Sequence, residues 1–172
     1  MLGKWMQPVA AAMLVAAVAG CSSTAGHDTG GRSSDTPNFL AGCGPLTDQV
    51  VATTIGVNAA VRQPPPASCL WTGADPAGEA VNATYAWSRT DTLAHELEVA
   101  TQHGYRTEKF VQRKFGGFYW HDPRDAGSCG VSAADTGVVT WWVHNLSRAA
   151  RPDDPCAAAL ALMRQTLLID GT

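Results

Sequence analysis

Five cysteines constrain this chain more than any other feature of its sequence, and the first of them differs in context from the rest. Cys21 follows closely after an apolar segment, Pro8 to Ala19, which itself comes after the positively charged Lys4. With Val18-Ala19-Gly20 it forms the lipobox of a bacterial lipoprotein signal, in which small residues stand directly before a cysteine. We therefore expect cleavage after Gly20, diacylglycerol on the Cys21 sulfur, and a lipid-anchored protein on the extracytoplasmic face of the cell membrane.

An uncleaved transmembrane anchor is the alternative interpretation of this segment. A spanning helix needs about 20 apolar residues, whereas the run from Pro8 to Ala19 is shorter and ends in Gly-Cys-Ser-Ser. Lipid anchoring by two or three acyl chains is durable, since each buried CH₂ contributes about 0.8 kcal/mol. The sequence therefore favours a lipoprotein signal peptide over residues 1–20 and a lipidated Cys21.

The four remaining cysteines predict two disulfides, because an even number of cysteines in an exported chain is typical of a disulfide framework. Three connectivities are possible. We favour Cys43–Cys69 with Cys129–Cys156, since each bridge closes a loop of about 27 residues, worth about 3.5 kcal/mol in the chain-entropy model. The alternative is a four-thiolate zinc site, but such sites usually bring their cysteines in close pairs such as C-x-x-C, and here every cysteine stands alone.

Composition separates a tether from a domain. After Cys21 the chain reads SSTAGHDTGGRSSDTP, which is too polar to bury much surface, so residues 21–37 are expected to be a lipidated cysteine and a flexible tether. Residues 38–172 are of a length that suits one domain with one core. The formal net charge is −3 and no run of Lys or Arg is present, so nucleic acid is not an expected partner.

Three helices are expected from capping residues and apolar stripes, because Ser, Thr and Asp before a helix accept hydrogen bonds from its first N–H groups. Proline suits the first helical position, where its missing N–H is not needed. The predicted helices are Thr47–Ile55, a second from a cap at Asp91 or Thr90 to about Gln102, and a third capped by Asp154 with Pro155 in its first position.

Alternation of apolar and polar residues predicts the strands and is clearest between Ala80 and Arg89. Hairpin turns are expected at Gly116-Gly117 and at Asp135-Thr136-Gly137. The predicted strands are Ser68–Thr72, Ala80–Arg89, Lys109–Arg113, Phe118–His121, Ser128–Ala133 and Val138–Asn145. The resulting order, α-β-β-α-β-β-β-β-α, predicts an α+β fold with a mostly antiparallel sheet and helices packed on one or both of its faces.

Four motifs accompany the lipobox and the tether: AGCGPLTDQVVATTIG, SCLW, SCGVSAAD and DPCAAALALM. In this combination the mature chain resembles, over essentially its whole length, the LprB/LprC-type lipoproteins of mycobacteria and related actinobacteria. The resemblance implies a cell-envelope lipoprotein whose domain has no known function. Because the shared residues are structural cysteines and a tryptophan, the resemblance assigns no catalytic or binding residue.

Candidate catalytic residues are few, and the dense polar cluster is His121-Asp122-Pro123-Arg124-Asp125. A hydrolase using His121, Asp122 and Asp125 is the alternative function that this cluster suggests. The same residue types between two strands are also what an ordinary turn requires. The chain has no G-x-S-x-G elbow, and HELEV lacks the second histidine of H-E-x-x-H. We therefore expect a protein that is not an enzyme and that uses no cofactor and no metal.

Two adjacent tryptophans suggest a binding surface, because neighbouring residues of a strand point to opposite faces. Val139, Trp141 and Val143 form the apolar register, so Trp142 is expected on the other face with Thr140 and His144. A second covering element would bury that face too. Otherwise Trp142, Thr140 and His144 form a surface for an envelope protein partner or a hydrophobic small molecule. A non-enzymatic, lipid-anchored binding or accessory module is the function that the sequence favours.

Overall fold

A computed structural model describes residues 40–63, 68–112, 114–146 and 154–168. The predicted signal peptide, the lipidated Cys21 and the tether up to residue 37 lie outside the described residues.

The described chain contains three helices and seven strands. The helices are α1 (Asp48–Thr54), α2 (Leu93–Gln102) and α3 (Pro155–Leu167). The strands are β1 (Ala60–Gln63), β2 (Cys69–Ala74), β3 (Ala80–Ser88), β4 (Arg106–Val111), β5 (Gly116–His121), β6 (Ser128–Asp135) and β7 (Gly137–Asn145).

All seven strands form one antiparallel sheet in the order β1-β2-β3-β7-β6-β5-β4. The predicted α+β class and the predicted order of elements are confirmed, and the short strand β1 is present in addition. No strand is predicted from the sequence at Arg62 and Gln63, but they pair with Trp71 and Leu70 of β2. Strand β1 is mostly exposed and does not alternate in burial, so hydrophobic periodicity does not reveal it.

The turn between β4 and β5 differs from the prediction. Gly116 and Gly117 lie inside β5, and the chain reverses before them, where the Gln112 N–H donates to the Phe115 carbonyl over 2.8 Å. A Cβ at Gly117 would overlap the Ser132 carbonyl of the neighbouring strand β6. The glycine is therefore needed for a close approach of two backbones rather than for a turn.

Both predicted disulfides are confirmed. Cys43 bonds to Cys69 and Cys129 bonds to Cys156, with Cα–Cα distances of 5.4 and 5.0 Å. The zinc alternative is wrong, because each sulfur is bonded to another sulfur. The second bridge joins the first turn of α3 to strand β6.

Side-chain oxygens cap all three helices, as expected from their sequences. Thr47 caps α1 and Asp154 caps α3, with Pro155 in the first helical position. The predicted cap of α2 is wrong, because Thr92 accepts from the His95 N–H and takes that position. Asp91 instead accepts from the Thr92 N–H and from the His95 side chain, at 2.7 Å each.

The main core lies on the face of the sheet against which α1 and α3 pack. Trp71 and Trp141 are fully buried there, with ring centroids 5.4 Å apart. The Trp141 indole N–H donates to the Thr166 hydroxyl of α3 over 2.9 Å. Helices α1 and α3 thus bury one face of the sheet. Because successive side chains of a strand point to opposite faces, every second residue of these strands lies on the other face.

Helix α2 contacts strands β4, β5 and β6. Tyr105, which lies between this helix and β4, stacks on Trp120, a residue that alternates along β5 with the core-facing Tyr119. Helix α2 therefore lies on the face opposite α1 and α3, so both faces of the sheet carry helices. On this second face, the side chains that β3 and β7 contribute around Trp142 are only partly buried.

Candidate binding surface

Five aromatic rings in consecutive contact lie on the second face of the sheet, and we call them the aromatic row. They belong to His103, Tyr105, Trp120, Trp142 and His144. Consecutive ring centroids in this order are 5.8, 5.4, 5.9 and 5.5 Å apart. These separations are typical of aromatic contacts that contribute beyond the area they bury. The row connects the end of α2 to strand β7.

Gly130 allows the row to cross strand β6. It pairs with Trp120 of β5 on one side and with Trp142 of β7 on the other. A Cβ at position 130 would overlap the Trp120 ring. The two indoles approach each other over β6 because the strand between them carries no side chain at that position.

Hydrogen bonds hold Trp120 in place. Its indole N–H donates to the Ser132 hydroxyl over 3.1 Å, and that hydroxyl lies 2.9 Å from the Thr140 hydroxyl. Thr140 is one of the three residues predicted for the surface, and its side chain is partly exposed. The Thr140 hydroxyl contacts Ser132, which accepts the hydrogen bond of Trp120, so Thr140 also helps to position the Trp120 ring.

His144 ends the row on β7 and is tied to the turn before β6. Its Nε2 atom lies 2.9 Å from an Asp125 carboxylate oxygen. The other Asp125 oxygen accepts from the Gly127 N–H over 3.0 Å. His144 also stacks on Trp142 with an angle of 11° between the ring planes. The ion-pairing geometry and the stacking together fix the orientation of the imidazole.

Trp142 differs from the other tryptophans of the described chain because its indole N–H has no hydrogen-bond acceptor. The N–H groups of Trp71, Trp87, Trp120 and Trp141 donate to Asp48, Thr136, Ser132 and Thr166, respectively. The Trp142 N–H is shielded from solvent and has no acceptor among the described residues. Such an unsatisfied donor costs about 1–3 kcal/mol and is rare in native structures.

Polar residues of β3 lie beside the row. Thr84 pairs with Trp142, Asn82 pairs with His144, and all four side chains are partly exposed. We call Asn82, Thr84, Thr140, Trp142 and His144 the Trp142 surface. It combines the three residues predicted from the sequence with two from the neighbouring strand.

Helix α2 covers only the adjoining part of this face. Phe118 of β5 is buried at 1% exposure, while the side chains of the Trp142 surface remain partly exposed. The two alternatives left open by the sequence thus apply to different positions: this face is buried at Phe118 and along β6 from Ser128 to Ser132, and it is partly open over β3 and β7.

The predicted hydrolase cluster is not assembled. Asp122 forms two hydrogen bonds with the Arg124 guanidinium, at 2.7 and 2.8 Å, and these hold its pKa below the usual range. Asp125 bonds to His144 instead. His121 lines a separate cavity of about 350 Å³, together with Glu108, Tyr119 and Asp154. The cluster is a turn whose carboxylates have other partners, and nothing in this geometry favours hydrolysis.

Sequence reasoning missed Tyr105, Trp120 and Gly130. The spacing of two residues between Phe118 and Trp120 indicated that both share one strand face. It did not indicate that this face lies beside Trp142, because that contact depends on the order of strands in the sheet. Within the described ranges, no three His, Cys, Asp or Glu side chains lie close enough together to hold a metal ion. None of the three described helices is long and apolar enough to cross a membrane.

Comparisons with known proteins place the chain in a family without assigning a reaction. The family model described as "Protein of unknown function (DUF3558)" matches residues 16–168. No curated protein and no solved structure matches the chain.

Proposed function

The chain belongs to the DUF3558 family of proteins of unknown function, and we propose that it is a lipid-anchored, extracytoplasmic binding module rather than an enzyme. Cys21 carries the lipid in this proposal, and residues up to 37 connect it to the domain. The lipobox and the two disulfides support an exported location, since disulfides persist in oxidising compartments. The motif resemblance to LprB/LprC-type lipoproteins supports the same location in the cell envelope.

The unpartnered indole N–H of Trp142 is the observation that carries the binding role. A native structure rarely leaves such a donor unsatisfied, and the four other described indoles all have acceptors. The indole belongs to a partly exposed side chain on the part of the sheet that α2 leaves open. A bound ligand that supplies an acceptor oxygen, after a small tilt of the ring, satisfies this donor.

The architecture of the surface supports binding rather than catalysis. Ligand sites are typically lined by aromatic side chains with a few placed polar groups, and here Trp142 contacts Trp120 on one side and pairs with Thr84 of β3 on the other. His144 and Asp125 are paired with each other, and the neighbouring Ser128 hydroxyl donates to the Asp125 backbone carbonyl over 3.4 Å. The surface therefore provides contact area and hydrogen bonds without an acid–base pair aimed at a reacting atom.

Photo-cross-linking in the native envelope tests the binding role. A benzoylphenylalanine introduced in place of Thr84, beside Trp142, is expected to form a covalent adduct in living cells. The matched control has the same probe in place of Thr53, an exposed residue of α1. The adduct at position 84 should disappear when Trp142 is also replaced by Ala. Equal adducts at both positions, or an adduct that survives Trp142→Ala, would contradict the proposal.

Mass spectrometry of the purified protein tests the anchor. The wild-type chain should begin at Cys21 and carry the mass of a diacylglycerol or of further acyl groups. The Cys21→Ala variant should remain an uncut and unacylated precursor. A wild-type mature chain that starts well past Cys21 and carries no lipid would overturn the anchoring part of the proposal.

A further inference from the structure

We infer that the ligand of the Trp142 surface is an uncharged oligosaccharide. This inference rests on the proposed function, because it specifies the chemistry of the molecule that the same surface binds. Three observations carry it: the charge balance of the surface, the alternation of rings with hydroxyl and amide groups, and the unpartnered indole N–H.

The charge balance favours a neutral ligand. Of the five residues of the Trp142 surface, only His144 has an ionisable side chain, and its Nε2 atom lies 2.9 Å from an Asp125 carboxylate oxygen. In the same turn, Arg124 is engaged by Asp122. A phosphate, an acidic lipid headgroup or a strongly charged peptide segment therefore finds no free countercharge among these residues. Charge complementarity selects a partner without net charge.

The arrangement of polar and aromatic groups fits a sugar. Thr84 and Asn82 lie directly across from Trp142 and His144 in the register of β3 and β7. Thr72 of β2 follows in line with Asn82. Hydroxyl and amide groups can both donate and accept hydrogen bonds, which matches a ring of sugar hydroxyls. A sugar also presents C–H groups, which pack on aromatic side chains.

The aromatic row suits a chain of sugars rather than a single one. Three of its ring contacts are stacked and the Trp120–Trp142 contact is tilted by 38°, so aromatic rings follow one another on this face at intervals of 5.4 to 5.9 Å. Thr84 and Asn82 of β3 flank the end of the row at Trp142 and His144, and the apolar neighbours there, Leu70 and Ala86, are only partly exposed. Protein interfaces instead have a central apolar patch of fully desolvated anchors.

Titration of the full-length acylated protein with neutral hexasaccharides tests the inference. The protein is kept in a zwitterionic detergent, because detergents with sugar headgroups would themselves occupy the surface. The probes are maltohexaose, cellohexaose, mannohexaose and arabinohexaose, with hexagalacturonate as the charged counterpart. Calorimetry should show binding of at least one neutral hexasaccharide, and the charged one should bind about tenfold more weakly or not at all.

Matched variants locate the binding. Trp142→Ala should abolish it. Trp87→Ala is the control, because Trp87 is also partly exposed but its N–H donates to the Thr136 carbonyl and it lies outside the surface. Thr84→Val, which removes only a hydroxyl, should weaken binding about three- to tenfold and keeps the test valid if Trp142→Ala does not fold.

Each contrary outcome has a distinct meaning. Binding of none of the neutral hexasaccharides, equal binding of hexagalacturonate, or binding unchanged in Thr84→Val and Trp142→Ala would overturn the inference. A protein adduct in the Thr84 cross-linking experiment, without saccharide binding, would overturn the saccharide and leave the proposed function standing. If neither a cross-linked adduct nor saccharide binding is observed, the oligosaccharide inference and the proposed binding function are both overturned.

Discussion

The Trp120 indole lies directly over the backbone of Gly130, and a Cβ at position 130 would overlap the six-membered part of its ring. A methyl group there must displace Trp120, because the contact is with a large, stacked ring rather than with a flexible chain end. Displacement breaks the aromatic row between Tyr105 and Trp142 and the hydrogen bond from Trp120 to Ser132.

We therefore expect Gly130→Ala to lower the free energy of unfolding by about 1–3 kcal/mol, as overpacking substitutions do, and to change the near-ultraviolet circular dichroism. Gly116→Ala is the matched control, because it also lies in a strand but its added Cβ would meet only the Phe110 carbonyl at 3.6 Å. Urea denaturation measures both. Equal effects of the two substitutions would show that Gly130 has no special role.

Trp141→Ala should lower the free energy of unfolding much more than Trp142→Ala. Trp141 is fully buried between Trp71 and Tyr85 and donates to Thr166, so its removal should cost about 3–5 kcal/mol. Trp142 is partly exposed, so its removal should cost markedly less. Thermal denaturation measures stability, and iodide quenching of tryptophan fluorescence measures exposure. Equal destabilisation, with no loss of quenchable signal in Trp142→Ala, would mean that Trp142 is a core residue.

Removal of the bridge between β6 and α3, by Cys129→Ala with Cys156→Ala, should lower the free energy of unfolding by about 2–5 kcal/mol. That is a large share of the ~5–15 kcal/mol typical of a domain. Urea denaturation with and without a reductant measures it, and the variant should be less sensitive to reductant than the wild type. Non-reducing peptide mapping is the check on connectivity: a peptide that links Cys69 to Cys129 would contradict both bridges.

The N-terminus of α2 should be most stable between about pH 4 and 6.5, the ordinary pKa values of Asp and His. The His95 hydrogen bond holds the pKa of Asp91 below its usual value, and the same bond raises the pKa of His95. The Asp91 contribution is present above its unfolded pKa and is lost as the pH falls through the lowered value. The His95 contribution is complete below its unfolded pKa and is lost as the pH rises through the raised value.

Amide protection factors of α2 measure this window. In the wild type they should decrease on going from pH 5.5 to 8.5, and His95→Gln should remove most of that decrease. His121→Gln, in strand β5, is the control and should retain the decrease. A decrease unaffected by His95→Gln would show that the Asp91–His95 pair does not set the pH dependence.

Local signals determined much of this fold. The cap of α3 follows from Asp154 and Pro155, because a cap depends on residues within one turn. The opposite placement of Trp141 and Trp142 follows from the alternation of β7, which any strand must obey. The two disulfides were favoured on loop length alone, and the structure has that pairing. Strand β1 and the turn before Gly116 were not foreseen, since neither follows a hydrophobic period or a usual turn dipeptide.

The assembly of the surface was decided by tertiary structure. The sequence suggests Asp125 as part of a catalytic cluster and His144 as part of a binding face. The fold brings these two residues together as a pair. Trp120 and Trp142 meet only because β5 and β7 flank β6 and because β6 carries a glycine between them. Sequence alone determined which residues share a strand face, since that is a property of the local backbone. Which strands become neighbours depends on long-range pairing, and that pairing placed five rings from three segments in one row.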